Sequence, residues 1–379
     1  NRILHRAGRF EHEMEKKKTA LFFLHDEGAL YFKGEYEEWV RRIYPEEYFS
    51  SDAIKKVLFW GEAQKKIFED FSENHKFHVT GFPRFDLCKP EFESIDSASV
   101  NDLVKKYGDF ILICGRFAAV NMVADDPSAL GKRSLNIRVE GGALKTQKQE
   151  EILRSMFSAW EKVSLEFSEF VPAVAKLALD FPNLNIVLRP HPAEKESFYN
   201  EAFSHFKNVY VDKSGDVRPF IRACKAMVHS ECTTGLEAEL SRKPNINFRP
   251  CANQLHYNKY EVAGASDVGI IVNDYENLQA ALSTLVDSNF VFQNSKYDAS
   301  KLILNLKENI FSADMICSLI EDYVKKTELS SEILSVYRSM NYVKYSSLQM
   351  LKRFIKTCLG KFGVKRFKKI SVGEGDLKF

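Results

Sequence analysis

Short apolar runs alternate with helix-like stretches along residues 109–272, and this alternation constrains the fold more than any other feature of the chain. Apolar runs of this kind are typical of buried strands, whereas the stretches between them carry apolar residues at helical spacing. The predicted strands are DFILICG, NIVLRP, NVYV, AMVHS, NINF and VGIIV. Repeated alternation of strand and helix predicts a doubly wound parallel sheet, in which ligands bind at the carboxyl ends of the strands.

A shorter set of strands of the same kind precedes this region. The predicted strands there are TALFFLH (19–25), KVLFW (56–60) and KFHVTG (76–81). The polar stretch EFESIDSASVNDL that follows them lacks strand character and predicts a linker. We therefore predict an α/β protein in three parts. These are an N-terminal domain over 1–105, a second domain over 106–296 and a C-terminal helical region over 297–379.

Two further expectations concern the organisation of the chain. A helix is predicted over 149–180, with a break at Pro172 because proline cannot donate a backbone hydrogen bond. The chain begins at Asn1, and the first strands of a complete N-terminal half are not visible in the sequence. We therefore expect that upstream sequence is missing.

Composition excludes several classes of protein. The 379 residues are 45% hydrophobic and 28% charged, with a formal net charge of +2, which indicates an ordinary globular protein rather than a nucleic-acid binder. No apolar run reaches the length of a membrane span and no signal peptide is visible, so a cytoplasmic location is predicted. The seven cysteines show no metal-binding spacing, and reduced thiols are expected.

The segment 342–370 departs from this average composition. It carries nine Lys or Arg residues and no acidic residue, interleaved with Leu, Ile, Phe and Val. A basic amphipathic segment suits an anionic membrane surface. The alternative is a solvated helix that docks on the protein itself.

Polar motifs follow three of the predicted strands, and the first of them is RPHP. Here a strand delivers Arg189 and His191 to its carboxyl end, where Pro190 and Pro192 fix the backbone. Arginine together with a histidine donor suits the phosphate of a nucleotide leaving group. The alternative is a structural turn in which the histidine caps a neighbouring strand.

The second motif is HSECTTGLEAE, in which Thr233, Thr234 and Gly235 lie where the next helix begins. Unpaired amides at a helix start, together with hydroxyl groups, form an anion site. Glu237, one turn into the helix, is a candidate for binding ribose hydroxyls. The alternative is an ordinary threonine N-cap with a glutamate that favours the helix dipole. The sequence contains neither GxxxxGK[ST] nor GxGxxG, which disfavours an ATPase or a nicotinamide enzyme.

The third motif, LHDEG, places Asp26 and Glu27 directly after a strand and before Gly28, which permits close approach of the backbone. A carboxylate in this place predicts a base that takes a proton from an acceptor hydroxyl. The alternative is an N-cap aspartate at a strand-to-helix turn.

HDEG and RPHP together resemble the paired motifs of bacterial sialyltransferases with the GT-B fold. The ordered set LHDEGALYF, VLFWGEAQKKIF, VTGFPRFDL, RPHP and VHSECTTGLEAELSRKPNINFRP is similar to bacterial surface-carbohydrate biosynthesis proteins of lipopolysaccharide and capsule gene clusters, over about residues 19–250. This resemblance implies two Rossmann-like domains with parallel sheets that face each other across a cleft, an acceptor-side domain and then a nucleotide-sugar-binding domain, plus C-terminal helices.

The resemblance implies an enzyme that transfers a sialic-acid-like nonulosonate or Kdo from a CMP-activated donor to the O-antigen of lipopolysaccharide or to capsule. The acceptor would be a glycan or a lipid-linked glycan, at or near the inner membrane. No metal and no cofactor would be required, in agreement with the lack of a convincing DxD motif; ADD at 124–126 is a weak candidate. Alternatives are a transferase that uses a UDP-sugar, a GDP-sugar or a CDP-polyol, or a non-catalytic protein of glycan assembly.

Residue by residue, the resemblance implies that Asp26 is the catalytic carboxylate, that Glu27 supports it and that His191 contacts the donor phosphate. Ser230, Thr233 and Thr234 would hold that phosphate, and Glu237 would bind the ribose. Arg189, Arg116 and Lys132 are candidates for the sugar carboxylate and the phosphate. The predicted donor-binding set also includes Pro192, Gly235 and Asn121.

Overall fold

The computed structural model describes residues 20–24, 33–35, 37, 41, 46, 49–121, 147–287, 302–307 and 309–326. The described residues form two parallel β-sheets with helices between the strands, so the predicted α/β class is confirmed. Several predicted features lie outside the described residues. These are Asp26, Glu27, Gly28, Lys132, ADD at 124–126 and the basic segment 342–370.

The first sheet contains three parallel strands in the order β1-β2-β3. The strands are β1 (Leu21–Leu24), β2 (Ile54–Phe59) and β3 (Phe77–Val79). The short helices α1 (Glu62–Lys66) and α2 (Pro83–Asp86) follow β2 and β3. Phenylalanines form much of its core, and the rings of Phe59 and Phe68 stack at 5.3 Å.

The second sheet contains six parallel strands in the order β6-β5-β4-β7-β8-β9. They are β4 (Phe110–Cys114), β5 (Asn185–Arg189), β6 (Val209–Val211), β7 (Ala226–His229), β8 (Asn245–Phe248) and β9 (Ile270–Val272). The chain proceeds outward from β4 to β6 and then returns to the other side of β4 with β7. This is the strand order of a dinucleotide-binding sheet, and its switch point lies between β4 and β7.

Helices cover both faces of the second sheet, which explains why its central strands β4, β5 and β7 carry apolar residues at consecutive positions. Ile111 and Ile113 of β4 pack toward one face, and Phe110 and Leu112 pack toward the other. The helices of the described chain beyond α2 are α3 (Ser97–Tyr107), α4 (Gln147–Asp180), α5 (Glu196–Ala202), α6 (Val217–Ala223), α7 (Thr233–Leu240), α8 (Tyr275–Leu285) and α9 (Ser312–Lys326).

The break predicted at Pro172 is wrong. The stretch expected to be a linker is ordered as helix, and it forms the 3-10 helix Pro90–Asp96 and most of α3. Arg222 of α6 forms an ion pair with Asp96, so this stretch packs on the second sheet's helical layer. The helix α4 continues through Pro172 without a break, and buried residues on either side of the proline, such as Phe170 and Val174, hold it in the core.

The helix α9, the last that the structure describes, returns to the N-terminal part of the chain. The carboxylate of Asp86, at the end of α2, accepts the amides of Ser312 and Ala313 at 3.0 and 2.9 Å. The Phe22 ring of β1 meets the Tyr323 ring edge-on at 5.6 Å. The predicted boundary at 105/106 falls inside α3, and the division into three parts stays a prediction.

Candidate functional site

Three loops leave the carboxyl edge of the second sheet next to its switch point. They are residues 115–121 after β4, 190–195 after β5 and 230–232 after β7. The buried carboxylate of Glu194 joins two of these loops, since it accepts the amides of Phe117 at 2.8 Å and His191 at 3.2 Å. Arg116 forms an ion pair with Glu231 and so joins the first loop to the third. The structure therefore brings Arg116, His191 and the SECTTG turn to the same edge of the sheet.

His191 presents one ring nitrogen as a donor. The amide of Ala193 donates to Nδ1 at 3.1 Å, so the neutral ring carries its proton on Nε2. The pKa of His191 lies below its ordinary value, because the surrounding protein desolvates the ring and Lys213 repels the cation. Lys213 donates to the carbonyl oxygens of Pro192 at 2.9 Å and Glu194 at 2.8 Å, which holds the turn. A neutral histidine with Nε2–H available can donate to a phosphate oxygen.

Glu194 is a residue that sequence reasoning missed. Besides the two loop amides it accepts the hydroxyl of Tyr199 at 2.5 Å, and burial raises its pKa. Its place three residues after His191 in PHPAE was visible, but nothing in that spacing shows that its partner would be Phe117, which follows another strand.

Arg189 and Asn121 make contacts that hold loops together. Arg189 donates to the carbonyl oxygen of Ser214 at 2.7 Å, and its guanidinium lies 4.6 Å from the centre of the Phe220 ring. Asn121 donates through Nδ2 to the carbonyl oxygen of Lys195 at 2.9 Å, which links the loops after β4 and β5. A contact of either side chain with a donor stays a prediction.

A buried cluster of charges lies beneath the switch point, centred on Glu231. Its oxygens lie within ion-pair distance of Arg116, Lys162 and Arg249, the last two at 2.9 and 3.1 Å. Although burial raises the pKa of a carboxyl, these three cations bring the pKa of Glu231 down to about 2. The backbone of Glu231 has φ 45°, a left-handed conformation that is uncommon for a residue other than glycine. Sequence reasoning missed Glu231, Lys162 and Arg249.

The turn between β7 and α7 contains the predicted hydroxyl cluster. Cys232 is the N-cap of α7 and makes no side-chain cap bond, so Thr233 and Thr234 are the first helical residues rather than caps. Ser230 is buried and its Oγ has no hydrogen-bond partner in the described part of the chain. A Cβ on Gly235 would lie 2.5 Å from the His229 ring, so this glycine allows α7 to approach β7 closely.

Glu237 lies at the contact between the two sheets. It is 1% exposed, and its Oε1 binds Nη2 of Arg84 at 2.7 Å. Its Oε2 has no hydrogen-bond partner among the residues described, and burial raises its pKa. Trp60, Phe82 and Phe85, which follow β2 and β3, pack with Leu236 of α7. The carboxyl edge of the first sheet therefore meets α7 directly, and sequence reasoning missed Arg84.

The LHDEG motif follows β1, which ends at Leu24. This agrees with the predicted position of the motif after a strand. Asp26 and Glu27 themselves lie outside the described residues, and their roles stay predictions.

Within the described ranges, no group of three or more His, Cys, Asp or Glu side chains could hold a metal ion. No helix in that same part of the chain is long and apolar enough to cross a membrane. The six cysteines that the structure describes are free thiols.

No known protein family and no curated protein matches the sequence. Among solved structures, the chain is similar to UDP-GlcNAc 2-epimerase from Methanocaldococcus jannaschii, at 12% identity and a TM-score of 0.45, covering 82% of this chain and 73% of the epimerase. It is also similar to the UDP-GlcNAc 2-epimerase from Neisseria meningitidis bound to UDP-GlcNAc, at 14% identity and a TM-score of 0.43. That match covers 82% of this chain and 72% of the epimerase.

A third similar structure is a variant of the wall teichoic acid polymerase TagF, at 13% identity and a TM-score of 0.43. The match covers 77% of this chain and 62% of the TagF chain, so this protein spans less than two thirds of that polymerase. Identities of 12 to 14% do not assign an activity.

Proposed function

We propose that this protein is a GT-B glycosyltransferase that transfers an acidic sugar, a sialic-acid-like nonulosonate or Kdo, from a CMP-activated donor to a bacterial surface glycan. The observation that carries the proposal is the meeting of three polar loops at the switch point of the second sheet. Loops at such a point are where doubly wound sheets bind nucleotides.

In this proposal the donor phosphate binds between His191 and the first turn of α7. Nε2–H of His191 donates to one oxygen, and Thr233 and Thr234 add their hydroxyl groups at the helix start. When the bond between the sugar and CMP breaks, negative charge grows on the phosphate, and donors already in place stabilise it. Arg116 adds a cation at the same edge; its side chain is 16% exposed.

The acceptor hydroxyl would be activated from the first sheet. Asp26 comes two residues after the end of β1, and the carboxyl edge of that sheet meets α7 through Trp60 and Phe82. A carboxylate at this edge suits a base that takes the acceptor proton, with Glu27 in support. The basic segment 342–370 would bring the enzyme to the anionic inner-membrane surface where a lipid-linked glycan is available.

The experiment compares nucleotides by thermal shift. CMP should raise the unfolding temperature more than UMP, UDP, GDP or CDP at equal concentration, since a ligand stabilises the state that binds it. His191→Asn should reduce the shift caused by CMP, whereas His205→Asn, at an exposed histidine on the surface after α5, should not. Stabilisation by UDP or CDP in place of CMP would refute the proposed donor.

Turnover tests the proposed base. CMP release from CMP-sialic acid or CMP-Kdo should be lost in Asp26→Asn and retained in Asp102→Asn, an exposed aspartate on α3 that serves as the matched control. Addition of EDTA should leave the rate unchanged, because these donors need no metal to leave. An Asp26→Asn protein with the wild-type rate would remove Asp26 from the mechanism.

A further inference from the structure

Arg84 follows a strand of the first sheet but binds a carboxylate in α7, a helix that follows a strand of the second sheet. It lies in α2, after β3, and its Nη2 binds Oε1 of Glu237 in α7 at 2.7 Å. The two partners differ in environment, since the Glu237 side chain is 1% exposed and the Arg84 side chain is 51% exposed. Glu237 is the only carboxylate among the described residues to which Arg84 bonds.

This arrangement fixes the direction of the guanidinium. A buried carboxylate is costly unless it is paired, so Glu237 has a strong preference for keeping Nη2 of Arg84 beside it. One edge of the planar group is then held, and the exposed half of the side chain remains for another partner. Arginine binds phosphate with two parallel hydrogen bonds, for which a fixed plane is an advantage.

The held guanidinium lies close to the start of α7. Its partner Glu237 is the fifth residue of that helix, which begins at Thr233. The Oγ of Ser230, in the turn before that helix, is buried without a partner in the described chain, and a hydroxyl can donate to a phosphate oxygen. An unpartnered buried hydroxyl before a helix start, together with an exposed arginine, indicates a place for an anionic ligand.

We propose that Arg84 contacts the anionic phosphate of the nucleotide donor from the first sheet's side, and that Glu237 is the positioning residue that orients it. This rests on the proposed function, in which that phosphate lies at the first turn of α7. It changes the role predicted for Glu237 from the sequence. Glu237 is 1% exposed and its Oε1 is bound by Arg84, so in this inference the carboxylate acts through the arginine.

The test uses CMP, cytidine and inorganic pyrophosphate as separate probes in calorimetric titrations of the full chain. Arg84→Gln should weaken binding of CMP and of pyrophosphate by about tenfold, the usual loss for a hydrogen bond to a charged group. Cytidine, which has no phosphate, should bind as it does to the wild type. Glu237→Gln should also weaken the binding of CMP and of pyrophosphate and leave the binding of cytidine unchanged, because Arg84 loses the carboxylate that orients it.

The matched control is Arg41→Gln. Arg41 is also partly exposed, and it pairs with Asp70 at 2.9 Å and with Glu37 at 3.3 Å, neither of which belongs to α7. Its replacement should leave all three affinities unchanged. Arg84→Lys keeps the charge and loses the planar guanidinium. Its affinities for CMP and pyrophosphate should lie between those of the wild type and of Arg84→Gln. Because Arg84 is half exposed, the Arg84→Gln protein should fold. If the Glu237→Gln protein does not fold, Arg84→Gln alone tests the inference.

The opposing results are distinct. If Glu237 bound ribose directly, Glu237→Gln would weaken the binding of both CMP and cytidine and leave the binding of pyrophosphate unchanged. That result would overturn the inference. If Arg84→Gln binds CMP with the wild-type affinity, the inference is also overturned, whereas the proposed function is not contradicted. Pyrophosphate binding that depends on Arg84, without any CMP binding, would support the phosphate site and refute the CMP donor. Absence of binding by all three probes would overturn both.

Discussion

Nζ of Lys162 lies 2.9 Å from Oε2 of Glu231, and the two side chains are only 2% and 0% exposed. Lys162 also binds Glu166, four residues along α4, at 2.5 Å, and Arg116 and Arg249 approach Glu231 from other elements. A long helix, the loop after β4 and the loop after β7 are thus tied together by charges beneath the candidate site. The cluster fixes Arg116 at the carboxyl edge of the sheet.

Glu231→Gln should lower the free energy of unfolding by about 3–5 kcal/mol, because it leaves buried cations without their shared carboxylate. Urea unfolding measures this. The matched control is Glu150→Gln, which breaks an exposed pair with Arg154 at 2.6 Å and should cost at most about 0.5 kcal/mol. Equal losses in the two variants would contradict a structural role for the buried cluster.

Gly235→Ala should destabilise the protein by about 1–3 kcal/mol, since the added methyl group meets the His229 ring and overpacks the site. The cause can be isolated in a double-variant cycle. In the His229→Ala background the ring is absent, and Gly235→Ala should then cost much less. The same loss in both backgrounds would exclude the contact with His229 as the cause.

Asp86→Ala should lower the free energy of unfolding by about 3 kcal/mol, because it removes a buried carboxylate that accepts hydrogen bonds from Asn305, Ser312 and Ala313. Asp274→Ala is the comparison. Asp274 is the N-cap of α8, accepts the amide of Asn277 at 2.8 Å and is exposed, so its loss should cost about 1 kcal/mol. If Asp86→Ala costs no more than Asp274→Ala, the attachment of α9 does not depend on this carboxylate.

Stability should fall as the pH drops from 6.5 toward about 4, in part because of His229. Burial lowers the pKa of this histidine to about 4, with smaller effects from Asn245, Glu231 and Arg249. In the unfolded chain this histidine has a pKa of 6.5, so between pH 6.5 and about 4 it is protonated in the unfolded chain and neutral in the folded chain. The contribution is fully present above 6.5 and is lost as the pH falls through the folded pKa.

Urea unfolding across that interval checks the assignment to His229. The free energy of unfolding should fall less steeply in His229→Gln than in the wild type, by the amount that one proton contributes. Parallel curves for the two proteins would exclude His229 as the titrating group. The buried ring of His229 contacts Oδ1 of Asn245 and accepts the amide of Cys232, so the fold of the variant should be verified before the slopes are compared.

All nine predicted strands are present, because each is marked by a local apolar run that needs no information from the rest of the chain. Features that depend on packing were not predicted. The polar stretch 91–103 predicted a linker, and it is ordered as helix because Asp96 pairs with Arg222 and Leu103 packs against the core beside α6. Pro172 predicted a break, and the buried residues around it outweigh the lost hydrogen bond.

The candidate site divides in the same way. Motifs after strands predicted that His191 and Thr233 would lie at the carboxyl ends of strands, and the strand order brings these two ends to one edge of the sheet. Arg116 was a candidate only through the resemblance. The partners of Glu237 and Glu231 could not be predicted, because Arg84, Lys162 and Arg249 lie on other elements far along the chain. The sequence by itself determined the class of fold and the loops where chemistry should be sought, since both follow from local periodicity. Only the tertiary structure decided which charges pair, because an ion pair depends on distances between elements that the order of residues does not encode locally.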